Sequence, residues 1–301
     1  MARYMERAEN LARILEVNET FARDKSGAND WLPILRLHRD EERFFERYDK
    51  ASSENVIRFY IIDATNPNSI IHAVRAAREN ARSIRHLISL ETWVQLNVFY
   101  NWVASLSPRG LRVSEMSRLC ERIKEGVQLH SGIVTGTLYR DQVWSFYRLG
   151  VFVELADQLT RLVDIKYHAL LPSWKDVGSP VDIAQWNALL RSVSAYHGYR
   201  RVFPSEMTPT TVAGFILFSP RFPRSLPHCV NNIEATLDGL LENEDLKGVS
   251  FPRESLDTLK VLASRAPENV IVSGLHEYLD EVQIALLDFG AQVSSTFFHT
   301  A

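Results

Sequence analysis

"YMERAENLARILEV" at residues 4–17 and "FVELADQLTRLVDI" at residues 152–165 spell nearly the same helix twice. At one constant offset Glu6 aligns with Glu154, Ala8 with Ala156, Leu11 with Leu159 and Arg13 with Arg161. Tyr4/Phe152, Glu9/Asp157, Asn10/Gln158 and Glu16/Asp164 keep their character, while Arg7 against Leu155 changes the chemistry most. On a helical wheel Tyr4, Ala8, Leu11 and Leu15 share one side, the i, i+4, i+7, i+11 spacing of a core stripe. Glu6, Glu9, Arg13 and Glu16 fall on the other side. The second copy repeats both faces, with Phe152, Ala156, Leu159 and Val163 against Glu154, Asp157, Arg161 and Asp164.

Two further anchors recur in the same order. "WLPILR" (31–36) meets "WNALLR" (186–191), and "PNSIIHAV" (67–74) meets "PRSLPHCV" (223–230), sharing Pro, Ser, His and Val. The segments ahead of the second pair, "VIRFYII" (56–62) and "VAGFILF" (212–218), keep its offset. Ordered anchors at near-constant spacing indicate an internal duplication, with a first helical half at 1–147 and a second at 148–301, packed as one globular unit.

Composition agrees with an all-α, helical-bundle chain. The 13 glycines and 12 prolines are together about 8% of the chain, against an average near 12%. Proline is missing from 68–107, 109–171 and 268–301, and a proline inside a helix costs about 3 kcal/mol, so long helices can run there. Helices are expected at 74–104, 113–130, 140–170, 183–200, 225–243, 254–265 and 268–298. Loops are expected near 24–30, 50–54, 63–68, 105–112, 172–182, 203–210, 219–224 and 245–252. Segments 56–62 and 212–218 have strand-like composition but lack neighbours to pair with, and read as helices.

With 46% hydrophobic and 24% charged residues and a net charge of −3, nothing favours nucleic-acid or membrane-surface binding. No apolar run reaches the ~18 residues of a membrane span, and no secretory leader is recognisable. The two cysteines, Cys120 and Cys229, match no metal-ligand spacing. A cytoplasmic location with free thiols is the expectation.

The opening "ARYMERAENLARILEV" (2–17) resembles the alpha-E family, a bacterial all-helical domain named for a Glu-Arg pair, here Glu6-Arg7. "ARENARSIR" (77–85), "ETW" (91–93), "LADQLTRLVDIKYH" (155–168), "QWNALLRSVSA" (185–195) and "FPRSLPHC" (222–229) extend the resemblance over nearly the whole chain. It implies partners, because genes of this family sit beside circularly permuted ATP-grasp proteins, transglutaminase-like proteins and sometimes a proteasome-like peptidase. That association implies a peptide-forming or peptide-tagging system.

Three groups of residues could carry function. The first is the polar cluster Glu6, Arg7, Glu9, Arg13, Glu154, Asp157 and Arg161, either a solvated helix face braced by i, i+4 pairs or a polar cleft between the halves. The second is Arg7 alone, at the border of the apolar stripe, where it must snorkel or meet a carboxylate. It is the best single candidate for anion binding; the other reading, a buried pair with Glu6 or an acidic residue of another helix, is the structural expectation. The third is Arg75, Arg78, Arg82 and Arg85, one basic stripe with Asn80 just beside it. Arg75, Arg78, Asn80 and Arg82 could bind an anion or peptide, or the stripe could neutralise the acidic face of the first helix.

Ser69 and Ser225 read as helix N-caps with His72 and His228 one turn in. Cys120 and the tryptophans 93, 144, 174 and 186 read as core and junction packing. No Walker, GxGxxG, GxSxG or HExxH motif is present, so neither a cofactor nor a metal is expected. The favoured function is a helical accessory or peptide- and partner-binding component of an ATP-grasp-linked system. The alternative is an enzyme with a Glu/Arg site between the halves, acting on a phosphorylated or acyl substrate.

Overall fold

A computed structural model of the protein describes residues 1–24, 31–108, 111–170, 180–242, 251 and 253–298. Among these there are fifteen α-helices and no strands. The chain divides into two compact units, Met1–Val143 and Trp144–Ala301.

The first unit contains α1 (Ala2–Asp24), α2 (Leu32–Leu37), α3 (Glu41–Phe45), α4 (Ser53–Ile61), α5 (Ile70–Ser83), α6 (Leu90–Ala104) and α7 (Met116–Thr137). Helices α1, α5, α6 and α7 form a ring in which each packs on the next. The apolar side of α5 supplies Ile70, Ala73, Val74, Ala77 and Ala81, and the alanines let α1 approach closely. Its start is fixed by Ser69, whose Oγ accepts the His72 N–H at 3.2 Å. The turn before it is held by Asn66, which donates from Nδ2 to the Phe59 carbonyl at 3.1 Å and accepts the Asn68 N–H at 2.9 Å.

The second unit contains α8 (Gln142–Leu170, from Trp144 onward), α9 (Pro180–Ser192), α10 (Tyr196–Val202), α11 (Pro209–Phe218), α12 (Leu226–Leu241), α13 (Glu254–Ala263), α14 (Pro267–Ser273) and α15 (Leu275–Phe297). Here α12 packs on α13 and α13 on α15. Helix α8 is tied to α12 by Arg148 Nη2 donating to Asn232 Oδ1 at 3.0 Å, and to α15 by His276 Nδ1 against Asp164 Oδ1 at 2.9 Å. Ser225 Oγ accepts the His228 N–H at 3.3 Å, the same cap as at Ser69.

The segments with strand-like composition are helical, lying in α4 and α11. Three expected helices are divided. The 74–104 stretch breaks into α5, a 3-10 turn at Arg85–Leu87, and α6, because Ser89 Oγ caps a new helix by accepting the Thr92 N–H at 3.1 Å. The 183–200 stretch breaks at Ser194, whose φ of 59° is left-handed, and 268–298 breaks at Gly274, φ 127°. Helix α7 runs on to Thr137, past the expected end at 130. The expected loops at 24–30, 172–182 and 245–252, and Trp174, lie wholly or largely outside the described residues.

Candidate functional site

Helix α1 is buried on nearly every side, which places its polar row inside the protein. Glu6, Glu9 and Arg13 are 7%, 3% and 3% exposed. Arg13 Nε donates to Glu9 Oε1 at 3.2 Å, and its Nη2 contacts the same oxygen. From α7, Gln128 Nε2 also donates to Glu9 Oε1 at 3.3 Å. Two turns along α1, Glu16 Oε2 meets Lys124 Nζ at 2.6 Å. Thus α7, running antiparallel to α1, supplies an amide and an ammonium to successive carboxylates. This is the physical reason a charged row can face inward: buried charge is tolerated only when paired and hydrogen-bonded. Cys120, on the same side of α7, is fully buried, and burial pushes its thiol well above the usual range, so it is an inert core thiol.

Arg7 departs from expectation. It is exposed rather than buried, with its guanidinium 5.6 Å from the Tyr4 ring centroid. Arg3, Tyr4 and Arg7 form a narrow wet strip on the first turns of the helix. Leu155, which aligns with Arg7, is itself part-exposed, so both residues occupy a boundary position that accepts a charge or a hydrophobe.

In α8, Glu154 is fully buried and accepts from Gln158 Nε2 at 2.8 Å. Arg161 grips Asp157 with two bonds, Nε at 2.9 Å and Nη2 at 3.1 Å. This pair is wetter than Glu9–Arg13, its side chains being 13% and 25% exposed.

The basic stripe of α5 does not meet the acidic row of α1; it turns toward α6. Arg78 Nε donates to Asn97 Oδ1 at 2.7 Å, and its head lies 5.6 Å from the Trp93 ring and 5.1 Å from the Tyr100 ring. Arg75 donates to the Ala64 carbonyl at 3.1 Å. Arg82 pairs with Glu79 at 2.8 Å, and Arg78 shares the same carboxylate at 2.9 Å. Asn80 is exposed, and Arg85 lies 5.8 Å from Trp93. Two guanidiniums, Arg78 and Arg82, therefore share the Glu79 carboxylate, Arg78 and Arg85 stand over Trp93 at the aromatic edge of α6, and Arg75 lies farther along the helix on the Ala64 carbonyl. The stripe avoids α1 because α5 uses its alanine-rich side for that contact, leaving the arginines on the opposite flank.

Several buried polar residues were not singled out by sequence. His130 of α7 has Nδ1 3.1 Å from Gln95 Oε1, while Gln95 Nε2 donates to the Gly126 carbonyl at 2.8 Å. Burial lowers the His130 pKa to about 4, so the ring is neutral at physiological pH and Nδ1 carries the proton given to Gln95. Asp40, fully buried, accepts from Tyr60 Oη at 3.1 Å and Asn68 Nδ2 at 2.9 Å and is paired with Arg43. Burial raises its pKa. Between α6 and α7 the surface opens into a groove of about 640 Å³, lined chiefly by apolar side chains. Among the described residues no three His, Cys, Asp or Glu side chains are placed to hold a metal ion, and no helix is long and apolar enough to cross a membrane.

A family model, Alpha-E, described as "a predicted alpha-helical domain with a conserved ER motif", matches residues 1–298. The chain belongs to the Alpha-E family. Curated relatives include uncharacterized proteins of Mycobacterium bovis and of two strains of Mycobacterium tuberculosis, each 23% identical over 306 residues. These alignments cover 94% of this chain and 34% of each relative, so the chain spans about a third of the length of the curated relatives it matches. No solved structure matches it. In this Alpha-E chain the two residues of the motif have different fates, Glu6 going inside and Arg7 to the surface.

Proposed function

We propose that this Alpha-E protein is a cytoplasmic, non-catalytic docking component of a peptide-ligating or peptide-modifying system, engaging an ATP-grasp-type protein and an acidic peptide segment. The observation that supports it most is the α5 flank, a stripe of four arginines in which Arg78 and Arg82 share the single carboxylate Glu79 and Arg78 and Arg85 stand over Trp93. Guanidiniums in excess on an aromatic edge recognise carboxylates through bidentate hydrogen bonds and steer acidic partners over distance. The Glu9–Arg13–Gln128 network is nearly sealed from solvent and its groups bond to one another, which suits a structural role better than bond-making. The family resemblance supplies the system; a transglutaminase-like or proteasome-like protein is a further partner on the same ground.

The same reading treats the two units as copies of one ancestral helical unit. The shared Ser caps before α5 and α12, and the carboxylate–arginine pairs of α1 and α8, support it.

The test is to incubate the purified chain with ATP and acidic peptides, alone and with the ATP-grasp protein encoded beside it. Peptide binding by fluorescence anisotropy should weaken about tenfold or more in Arg82→Glu/Arg85→Glu, consistent with ~1.4 kcal/mol per tenfold change. Ligation or ATP hydrolysis by the isolated chain, abolished by Glu6→Gln or Arg7→Ala, would establish the enzyme reading instead.

A further inference from the structure

The α6/α7 groove lies on the side of α6 away from the arginine stripe. The two helices run antiparallel. Ser89 Oγ touches Thr137 Oγ1 at 2.8 Å at one end, Gln95 binds the Gly126 carbonyl near the middle, and Arg122 stacks 4.3 Å over Trp102 at the other. Gly126 makes the floor flat, since a Cβ there would sit 2.4 Å from the Phe99 ring. Into this groove α6 presents Leu90, Val94 and Val98 at intervals of four, 61%, 49% and 64% exposed, and α7 presents Leu129 at 58%. An unpartnered apolar stripe of this kind on a helix pair marks an interface.

Three charged side chains line the groove, Glu91, Arg122 and Glu125, and the two at its ends, Glu91 and Arg122, decide the occupant. Glu91 lies in the first turn of α6, and Arg122 lies over Trp102 near its last turn. Neither pairs with an opposite charge among the described residues. Their separation along α6 is 11 residues from 91 to 102, roughly 16 Å at 1.5 Å per residue. The geometry points to a second copy of this chain as the occupant, with α6 crossing α6 antiparallel about a two-fold axis at the level of residue 96. That operation sets Val94 of one copy on Val98 of the other. It also places Glu91 of each copy against the Arg122–Trp102 end of its mate, so the dimer holds two such ion pairs. A two-fold axis parallel to the helices would instead lay Glu91 on Ile133 and leave Arg122 without a mate. Isologous pairing of one patch with itself is the commonest way homodimers close, and the two end charges fix the register.

Sedimentation velocity on the full chain from about 1 to 200 μM, with circular dichroism as a fold control, tests this interface. The wild type should show a reversible monomer–dimer equilibrium. Val98→Glu should weaken it at least about a hundredfold, because two like charges would face apolar surface. Glu91→Arg and Arg122→Glu should each weaken it about tenfold or more, and the double variant Glu91→Arg/Arg122→Glu should recover most of the loss. A wild type that stays monomeric at all concentrations overturns the inference, as does a dimer indifferent to Val98→Glu. Failure of the charge swap to rescue overturns the two-fold register. Peptide binding by the α5 arginines is read separately and should be unchanged in Val98→Glu.

Discussion

His130 should make the stability of this protein fall measurably between neutral pH and pH 4. Its ring is fully buried, bonded through Nδ1 to Gln95, with a folded pKa lowered from 6.5 to about 4. In the unfolded chain the imidazole takes up a proton near pH 6.5; in the folded chain it does so only near pH 4. The unfolded state therefore binds more protons within that window, and stability declines as pH falls through it. Lowering a pKa tenfold in proton affinity is worth about 1.4 kcal/mol, so the fall from 6.5 to about 4 amounts to about 3 kcal/mol. Above pH 6.5 both states are neutral and the contribution is complete; below pH 4 it is fully lost. The assay is urea unfolding of the wild type and His130→Asn at half-unit steps from pH 7.5 to 3.5. Acidic groups titrate in both proteins and cancel in the difference, leaving the histidine. The gap between the two should narrow by about 3 kcal/mol from pH 6.5 to 4, or reverse sign if the variant is otherwise well tolerated. A gap that stays constant across this range would refute the reasoning, meaning that the ring is protonated in the fold or reaches water readily.

The two carboxylate–arginine pairs should differ in worth with their burial. Arg13→Ala removes both donors that it gives to Glu9 in an almost sealed site and should cost about 3–5 kcal/mol, whereas Arg161→Ala, at a wetter pair, should cost about 1 kcal/mol; denaturant midpoints that fall in the opposite order would be fatal to this account. Gly126→Ala places a methyl 2.4 Å from Phe99 and should lower stability by about 1–3 kcal/mol, checked by thermal melts. Ser69→Ala and Ser225→Ala each delete an N-cap and should each cost about 1 kcal/mol or more in urea unfolding, Ser69→Ala the more because its hydroxyl also donates to the Asp63 carbonyl at 2.7 Å.

How far the sequence could be read is clearest on α1. The spacing of Tyr4, Ala8, Leu11 and Leu15 identified a buried stripe; the last three are buried, while Tyr4, in the first turn, is part-exposed. The same wheel expected either a wet face or a cleft for Glu9 and Arg13, and instead both are in the interior. Periodicity separates polar from apolar faces, but it cannot tell water from Gln128 and Lys124, which arrive from more than a hundred residues away. Asp40 was invisible for the same reason, its partner Tyr60 coming from another helix. Some misplaced boundaries had local signals. Ser89 and Thr92 stand in N-cap and N3 positions, and Gly274 is the ordinary residue for a left-handed helix junction, whereas Ser194 adopts positive φ with nothing in its type to announce it. Missing proline shows where a helix can run, not where another begins.

The central position of α1 also has a temporal side. It is made on the ribosome before the helices that cover it, α5 and α7, which end near residues 83 and 137. At roughly 5–20 residues per second, α1 waits on the order of ten seconds before Gln128 and Lys124 exist to meet its carboxylates. During that interval its charged and amide side chains can keep water around the apolar stripe of the helix. The polar row that the finished fold conceals is thus the feature that protects the nascent chain before there is a core to enter.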